Sequence, residues 1–139
     1  MRRFFIIALS FVLCITISES PAHAMEPRGS VQIVSTSVTL TRISGDRLSV
    51  CYTIQATKEM DIIGASSIDI QRLSGTTWAT EYTFTTTQTP ELQVSKTDYH
   101  SLILEYTPEH PKSSYRAVVY FYAKSSLGTS TKTGTTDAV

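Results

Sequence analysis

The chain has 139 residues, a length that allows one domain, and 41% of them are apolar, 9% aromatic and 17% charged. This is a globular composition that is low in charge. Twelve basic residues balance twelve acidic ones, so no excess of positive charge points to a nucleic acid or an anionic membrane as a partner.

The first 24 residues have the pattern of a secretory signal peptide. Arg2 and Arg3 form a positive start, an apolar run covers Phe4–Ile17, and Ala22-His23-Ala24 supplies a small-x-small cleavage pattern. The apolar run is too short for a good membrane span. We therefore expect export and cleavage after residue 24.

The expected mature chain, Met25–Val139, has 115 residues and forms one β domain. Its formal charge is near −1, with ten basic and eleven acidic residues. It ends in Thr135-Thr136-Asp137-Ala138-Val139, without a hydrophobic tail or a sorting motif. We expect a secreted, extracellular protein with no membrane anchor in the mature chain.

The two cysteines have different expected fates. Cys14 leaves with the leader; a lipid anchor on it is the competing interpretation, but Leu13 is not the small residue that such an anchor requires before the cysteine. Cys51 then remains alone, so no internal disulfide can form and it is predicted to be a free thiol. Alternation places it on the polar side of its strand, where it is either a small β-compatible residue or a reactive or intermolecular thiol.

The mature chain alternates apolar and polar residues and lacks any helical period, so it is predicted to be all β. Serine and threonine are abundant, with 15 and 20 copies, and threonine suits a half-exposed strand face. Loops are expected at Lys58–Gly64 and, with one short edge strand, at Thr89–Asp98. The predicted strands are Val31–Ile43, Arg47–Thr57, Ser66–Leu73, Trp78–Thr87, Tyr99–Tyr106, Tyr115–Lys124 and Thr129–Thr136.

These short strands, with turns every 8 to 12 residues, favour an antiparallel β-sandwich. A three-residue loop, Gly75–Thr77, would place Ile70 opposite Tyr82 and Ile68 opposite Phe84. Such aromatic–β-branched pairs contribute roughly 0.2–1 kcal/mol each.

The segment Tyr115–Gly128 resembles the region of the last two strands of immunoglobulin-like and fibronectin type III domains. Leu102-Ile103-Leu104, then Pro108 and Pro111, then Tyr115 fill the places of a leucine strand, a proline corner and an opening tyrosine. The resemblance implies an antiparallel sandwich of about seven strands. It also implies a tyrosine corner, in which the Tyr115 hydroxyl bonds a nearby backbone group.

The mature chain also resembles a group of small secreted proteins of Gram-positive bacteria that form a domain of unknown function. Met60–Ile68 and Tyr115–Ala123 carry this resemblance. It implies secretion and a β fold, and it supplies no activity and no site residues.

No catalytic or metal-binding constellation is evident, so we expect neither an enzyme nor a cofactor nor a metal site. The histidines of the mature chain, His100 and His110, lie ten residues apart on different elements, and Cys51 has no flanking motif that would pair it with either one. Glu59 and Asp61 share one predicted loop, where a weak calcium site and a loop-capping Asp61 are the two alternatives.

The most distinctive feature of the mature sequence is a pair of tyrosines on one strand. Tyr120 and Tyr122 share parity with Val118 on the strand face opposite the core, where they are candidate ligand-binding residues for sugar rings or a partner protein. The alternative is that they only pack against threonine and arginine neighbours on adjacent strands. The same alternation of residues places the Trp78 side chain in the core. The alternative is that Trp78 is an exposed aromatic residue available for binding.

The sequence as a whole predicts a non-enzymatic extracellular binding or adhesion module, with a cell-wall glycan or another extracellular protein as partner. The alternative is a self-associating structural surface protein, in which the threonine-rich last strand, Thr129–Thr136, adds to the sheet of a neighbour.

Overall fold

A computed structural model describes residues Gln32–Val139, and the predicted leader, with Cys14, lies outside the described residues. This region forms eight strands and one short 3₁₀ helix, Pro90–Leu92. The strands are β1 (Ile33–Ile43), β2 (Arg47–Met60), β3 (Ile62–Ser74), β4 (Thr77–Thr85), β5 (Gln93–Val94), β6 (Thr97–Tyr106), β7 (Tyr115–Ser125) and β8 (Gly128–Thr135).

Two antiparallel sheets pack face to face. The three-stranded sheet has the order β1-β2-β6, and the five-stranded sheet has the order β4-β3-β7-β8, with the two-residue β5 beside β3. The predicted all-β class and the antiparallel sandwich are therefore confirmed, and the two-residue β5 accompanies seven longer strands. Within Gln32–Val139 there is no helix of the length and hydropathy that spanning a membrane requires.

The core follows from strict alternation along the central strands. In β2 from Leu48 to Ala56, and along the whole of β7, every second side chain is buried between the sheets, and the intervening ones face outward. The fully buried large side chains come from both sheets and from the 3₁₀ helix: Tyr52, Tyr115, Phe121, Leu48, Ile54, Met60, Ile63, Ile68, Ile70, Leu92, Val50 and Val119.

The predicted loop at Lys58–Gly64 is wrong. Strand β2 continues to Met60, and β3 starts at Ile62, so that only Asp61 separates them. The charged residues at this place suggested a loop, but Met60 and Ile63 are fully buried and draw both strand ends into the core. Asp61 instead accepts a salt bridge from Lys96 at 2.7 Å, which lowers the pKa of the Asp61 carboxyl.

The predicted pairing of β3 with β4 is confirmed, although the chain reaches it by another route. Ile68 lies opposite Phe84 and Ile70 opposite Tyr82. The turn between the strands is one residue shorter than predicted, since Ser74 already pairs with Thr77. A bulge then restores the predicted register, because Glu81 has no opposite residue on β3.

The start of β3 has a close backbone contact that only glycine permits. Gly64 has φ of 151°, and a Cβ at this position would lie 2.0 Å from the carbonyl oxygen of Leu92. The same carbonyl accepts a hydrogen bond from the buried Tyr52 hydroxyl at 2.6 Å. Gly64, Leu92 and Tyr52 thereby join both sheets to the 3₁₀ helix.

We expect the substitution Gly64→Ala to lower the free energy of unfolding by about 2–3 kcal/mol, because the new methyl group must displace the Leu92 carbonyl. Urea unfolding followed by tryptophan fluorescence measures this change. The matched control is Gly75→Ala, at a positive φ of 63° with no atom within 4 Å of the added carbon, where a cost of about 1 kcal/mol is expected. Equal losses in the two variants would contradict the assigned contact.

Candidate functional site

The surface of interest is the side of the five-stranded sheet that faces away from the three-stranded sheet, here called the outer face. It is formed by the outward side chains of four neighbouring strands. They are Trp78, Thr80 and Thr83 from β4, Asp69 and Gln71 from β3, Arg116, Val118, Tyr120 and Tyr122 from β7, and Thr131, Thr133 and Thr135 from β8.

Tyr120 lies near the middle of the outer face, between Ser67 of β3 and Thr133 of β8. Its hydroxyl donates to Asp69 Oδ2 at 3.2 Å, and Asp69 Oδ1 accepts a second bond from Thr83 at 2.7 Å. Partial burial and the Asp69 carboxylate raise the pKa of the Tyr120 hydroxyl. The Tyr120 side chain is therefore tied to β3 through its hydroxyl.

A shallow concavity of about 390 Å³ lies beside the Tyr120 ring. A bulge at Ser66 opens the β3 side, because Ala65 and Ser67 pair with consecutive residues of β7 and Ser66 is left over. The lining is rich in hydroxyl groups and consists of Ser66, Ser67, Tyr120, Phe121, Thr131, Lys132 and Thr133.

Tyr122 stands next along β7 on the same face, two residues from Tyr120. Its partners are Thr131 on β8 and Gly64 on β3. Since Gly64 has no side chain, nothing from β3 rises beside the Tyr122 ring at this row. The prediction that both tyrosines lie opposite the core face of β7 agrees with their places in the sheet.

The prediction that Trp78 belongs to the core is wrong. The bulge at Glu81 reverses the alternation of β4, so that Trp78 and Phe84 face opposite sides of the sheet although their numbers share parity. The Arg116 guanidinium lies 4.5 Å from the centre of the Trp78 ring and donates to Gln71 at 2.7 Å. Trp78 thus belongs to the outer face and lies at its β4 edge.

The bulge also turns the Glu81 carboxylate inward, where its side chain is 8% exposed. The Tyr106 hydroxyl donates to it at 2.6 Å and the Tyr115 hydroxyl at 2.9 Å. Arg72 lies 3.4 Å from it, and His110 Nδ1 is at the same distance. Burial alone would raise the pKa of Glu81, but the hydrogen bonds together lower it below its usual value.

This cluster contains the expected tyrosine corner. The Tyr115 hydroxyl accepts the backbone N–H of His110 at 3.2 Å, five residues upstream, and donates to Glu81. Burial and the Glu81 carboxylate raise the pKa of Tyr115. The corner is therefore joined to β4 through a carboxylate that the sequence analysis did not single out.

Glu81, Glu109 and His110 have ligand atoms within 4.8 Å of one another, a spacing that a metal ion could use. The Glu81 oxygens, however, already accept hydrogen bonds from two tyrosine hydroxyls and the Glu109 N–H, and Arg72 adds a positive charge at the same place. The arrangement is that of a structural carboxylate which ties β4 to β6 and β7.

Cys51 and His100 do not form a catalytic pair. Cys51 is half-buried on the outward side of β2, between Thr39 and Ile103, and it forms no disulfide with any described residue. The His100 ring packs against the ring of Tyr52 on the other side of the sheet and bonds the Glu91 carbonyl at 2.8 Å. The two groups therefore lie on opposite faces.

Comparisons of the chain with family models, with curated proteins and with solved structures gave no match. The arguments about function consequently rest on the outer face itself. Sequence reasoning located Tyr120 and Tyr122 but missed the bond from Tyr120 to Asp69, because the pairing of β3 with β7 was not among the predicted pairings.

We expect Glu81→Gln to lower the free energy of unfolding by about 1–3 kcal/mol at neutral pH, because the amide group turns a donor toward groups that donate. The lowered pKa means that the stabilisation by Glu81 is complete above pH 4.5, its ordinary value, and is lost as the pH falls through the lower folded value. Urea unfolding between pH 2.5 and 7 measures both effects.

The matched control is Glu105→Gln in the exposed pair with Arg47, where the loss should stay below about 1 kcal/mol. Glu81→Gln should also flatten the acid side of the pH–stability curve. An unchanged curve, or a larger loss in Glu105→Gln, would show that Glu81 does not have the assigned role.

Proposed function

We propose that the protein is a secreted, non-enzymatic binding module that holds an extracellular glycan of the cell wall on its outer face. The observation that carries this proposal is the pair Tyr120 and Tyr122, which project from one strand next to a concavity lined by serine and threonine hydroxyls.

The chemistry of the outer face suits a neutral, polyhydroxylated ligand. Tyrosine rings offer an apolar face for the C–H groups of a sugar ring, and the surrounding hydroxyls both donate and accept hydrogen bonds. Among the residues that line the concavity, only Lys132 is charged. A strongly anionic or cationic ligand would find little electrostatic complement there.

The hydrogen bond from Tyr120 to Asp69 adds preorganisation. A side chain that is already fixed loses less conformational freedom when a ligand binds, which leaves more of the contact energy as affinity. The central tyrosine of the outer face therefore fits a binding role as well as a packing role.

Two arrangements support a non-enzymatic module. Both Glu81 oxygens accept hydrogen bonds, so this buried carboxylate is not poised to transfer a proton. The Cys51 thiol lies on the face opposite His100, so this imidazole cannot activate it.

The extracellular location is part of the proposal and rests on the leader pattern of residues 1–24. The resemblance of Met60–Ile68 and Tyr115–Ala123 to small secreted proteins of Gram-positive bacteria favours a cell-wall glycan. Another extracellular protein is the second class of partner, since a half-exposed aromatic patch also suits protein recognition.

The test is a pull-down of the chain Met25–Val139 on purified Gram-positive cell wall and on insoluble polysaccharides. We expect the double variant Tyr120→Ser/Tyr122→Ser to lose at least about tenfold in affinity, because buried aromatic side chains commonly dominate an interface. Depletion of the protein from solution over a range of wall concentrations measures the affinity.

Tyr99→Ser is the matched control, because Tyr99 is an exposed tyrosine on the outward side of β6 in the other sheet. It should bind as well as the unchanged chain. Thermal unfolding of each variant separates a lost contact from a lost fold. If neither wall nor polysaccharide retains the unchanged chain, the glycan proposal is wrong, and retention on wall proteins alone would identify a protein partner.

A further inference from the structure

Apart from the two-residue β5, four strands of the described sandwich, β1, β6, β4 and β8, form its edges, and they differ in how they are protected against pairing with another chain. An edge strand presents unpaired N–H and C=O groups, and proteins shield such edges with bulges, prolines or charged side chains. Strand β1 has a bulge at Val34, β4 has one at Glu81, and β6 carries the exposed Asp98 and Glu105.

Strand β8 has none of these bulges or prolines. Its pairing with β7 has no bulge between the pair Gly128–Ser125 at one end and the pair Thr135–Val118 at the other. The strand contains a single charged residue, Lys132, and most of its side chains are exposed. It is therefore the least protected edge in the part of the chain that the structure describes.

The hydrogen-bond phase of β8 shows which of its backbone groups face the open edge. Thr136 N donates to the Ala117 oxygen at 2.9 Å, so this pair is hydrogen-bonded across to β7. Antiparallel pairs alternate between bonded and non-bonded types, and the next non-bonded pairs involve Thr135, Thr133, Thr131 and Thr129. The Tyr120–Thr133 pair fits this assignment as a non-bonded pair. The Tyr120 carbonyl points away from β8, since it accepts a hydrogen bond from the Ser66 hydroxyl on the β3 side.

We propose that a second copy of this chain pairs with β8 along this edge, antiparallel and about a twofold axis at Thr131. Thr129, Thr131 and Thr133 then exchange N–H···O bonds with Thr133, Thr131 and Thr129 of the other copy, because an antiparallel strand is complementary to itself under a twofold rotation. The two five-stranded sheets become one continuous sheet.

The charge on β8 selects this register. A twofold axis at Lys132 would also be possible in sequence, but it sets two ammonium groups directly opposite each other, which is destabilising. An axis at Thr131 places each Lys132 opposite Ser130 of the other copy and keeps nearly the whole of β8 within the paired region. No like charges then face each other across the new pair.

Pairing at β8 has a consequence for the outer face, and this step rests on the proposed function. Tyr122 lies opposite Thr131 in each copy, and the two Thr131 residues lie opposite each other across the new pair. The two Tyr122 side chains are therefore separated by three strand spacings, or about 14 Å. A polymer with repeating sugars could contact both tyrosine pairs at once, and the second contact would be intramolecular.

The test is the mass of the chain Met25–Val139 in sedimentation equilibrium from micromolar to millimolar concentration, with a reducing agent present. We expect a monomer–dimer equilibrium that Thr131→Pro weakens at least about tenfold. Proline removes an N–H that points out of the sheet and leaves the ladder to β7 intact. Thr133→Pro provides a second variant of the same kind in case the first fails to fold.

Thr131→Val is the matched control, because it keeps the N–H and the side-chain volume, and it should dimerise like the unchanged chain. A chain that stays monomeric at millimolar concentration overturns the proposal, as does a dimer that folded proline variants leave unchanged. A dimer that appears only without the reducing agent indicates a Cys51 disulfide and also overturns it. Tyr120→Ser/Tyr122→Ser should still dimerise, so failure of glycan binding and failure of pairing give different results.

Discussion

The sandwich depends on one extra residue in β4. Because Glu81 has no opposite residue on β3, it and Tyr82 both direct their side chains toward β6, where Tyr82 stacks on the Tyr106 ring and Glu81 accepts the Tyr106 hydroxyl. These contacts close one side of the sandwich. The same shift turns Trp78 to the opposite side, so a single insertion both seals the core and enlarges the outer face.

The carboxylate at this bulge is costly to bury and is compatible with the fold because both of its oxygens accept hydrogen bonds. Two tyrosine hydroxyls, a backbone N–H and the Arg72 guanidinium come from three separate parts of the chain. The tyrosine corner, the β4 edge and the β6 edge therefore hold their positions jointly.

Alternation predicted the sandwich because β2 and β7 are long and regular, and it placed Tyr120 and Tyr122 opposite the core face of β7. It failed where the period of two is interrupted. Counting alternate residues places Trp78 in the core, but the bulge at Glu81 reverses the alternation, and nothing in the local amino-acid composition reveals a bulge. The role of Glu81 was equally inaccessible, because its partners are distant in sequence. In the pairing of β3 with β4, a shorter turn and a bulge compensated, so the predicted register was right although the predicted turn was not.

Gln32 stands just before β1 and is almost fully buried, with bonds to Gly128, Ser130 and Ser125 of the β7–β8 hairpin. These contacts join residues 93 to 98 positions apart, nearly the full length of the described chain. Closing so long a loop costs conformational entropy, and the hydrogen bonds that offset this cost form only when both ends of the loop are in place. The buried Gln32 side chain thus obtains its hydrogen-bond partners only when the β7–β8 hairpin is in place, so these contacts link the first strand, which pairs locally with β2, to the last hairpin.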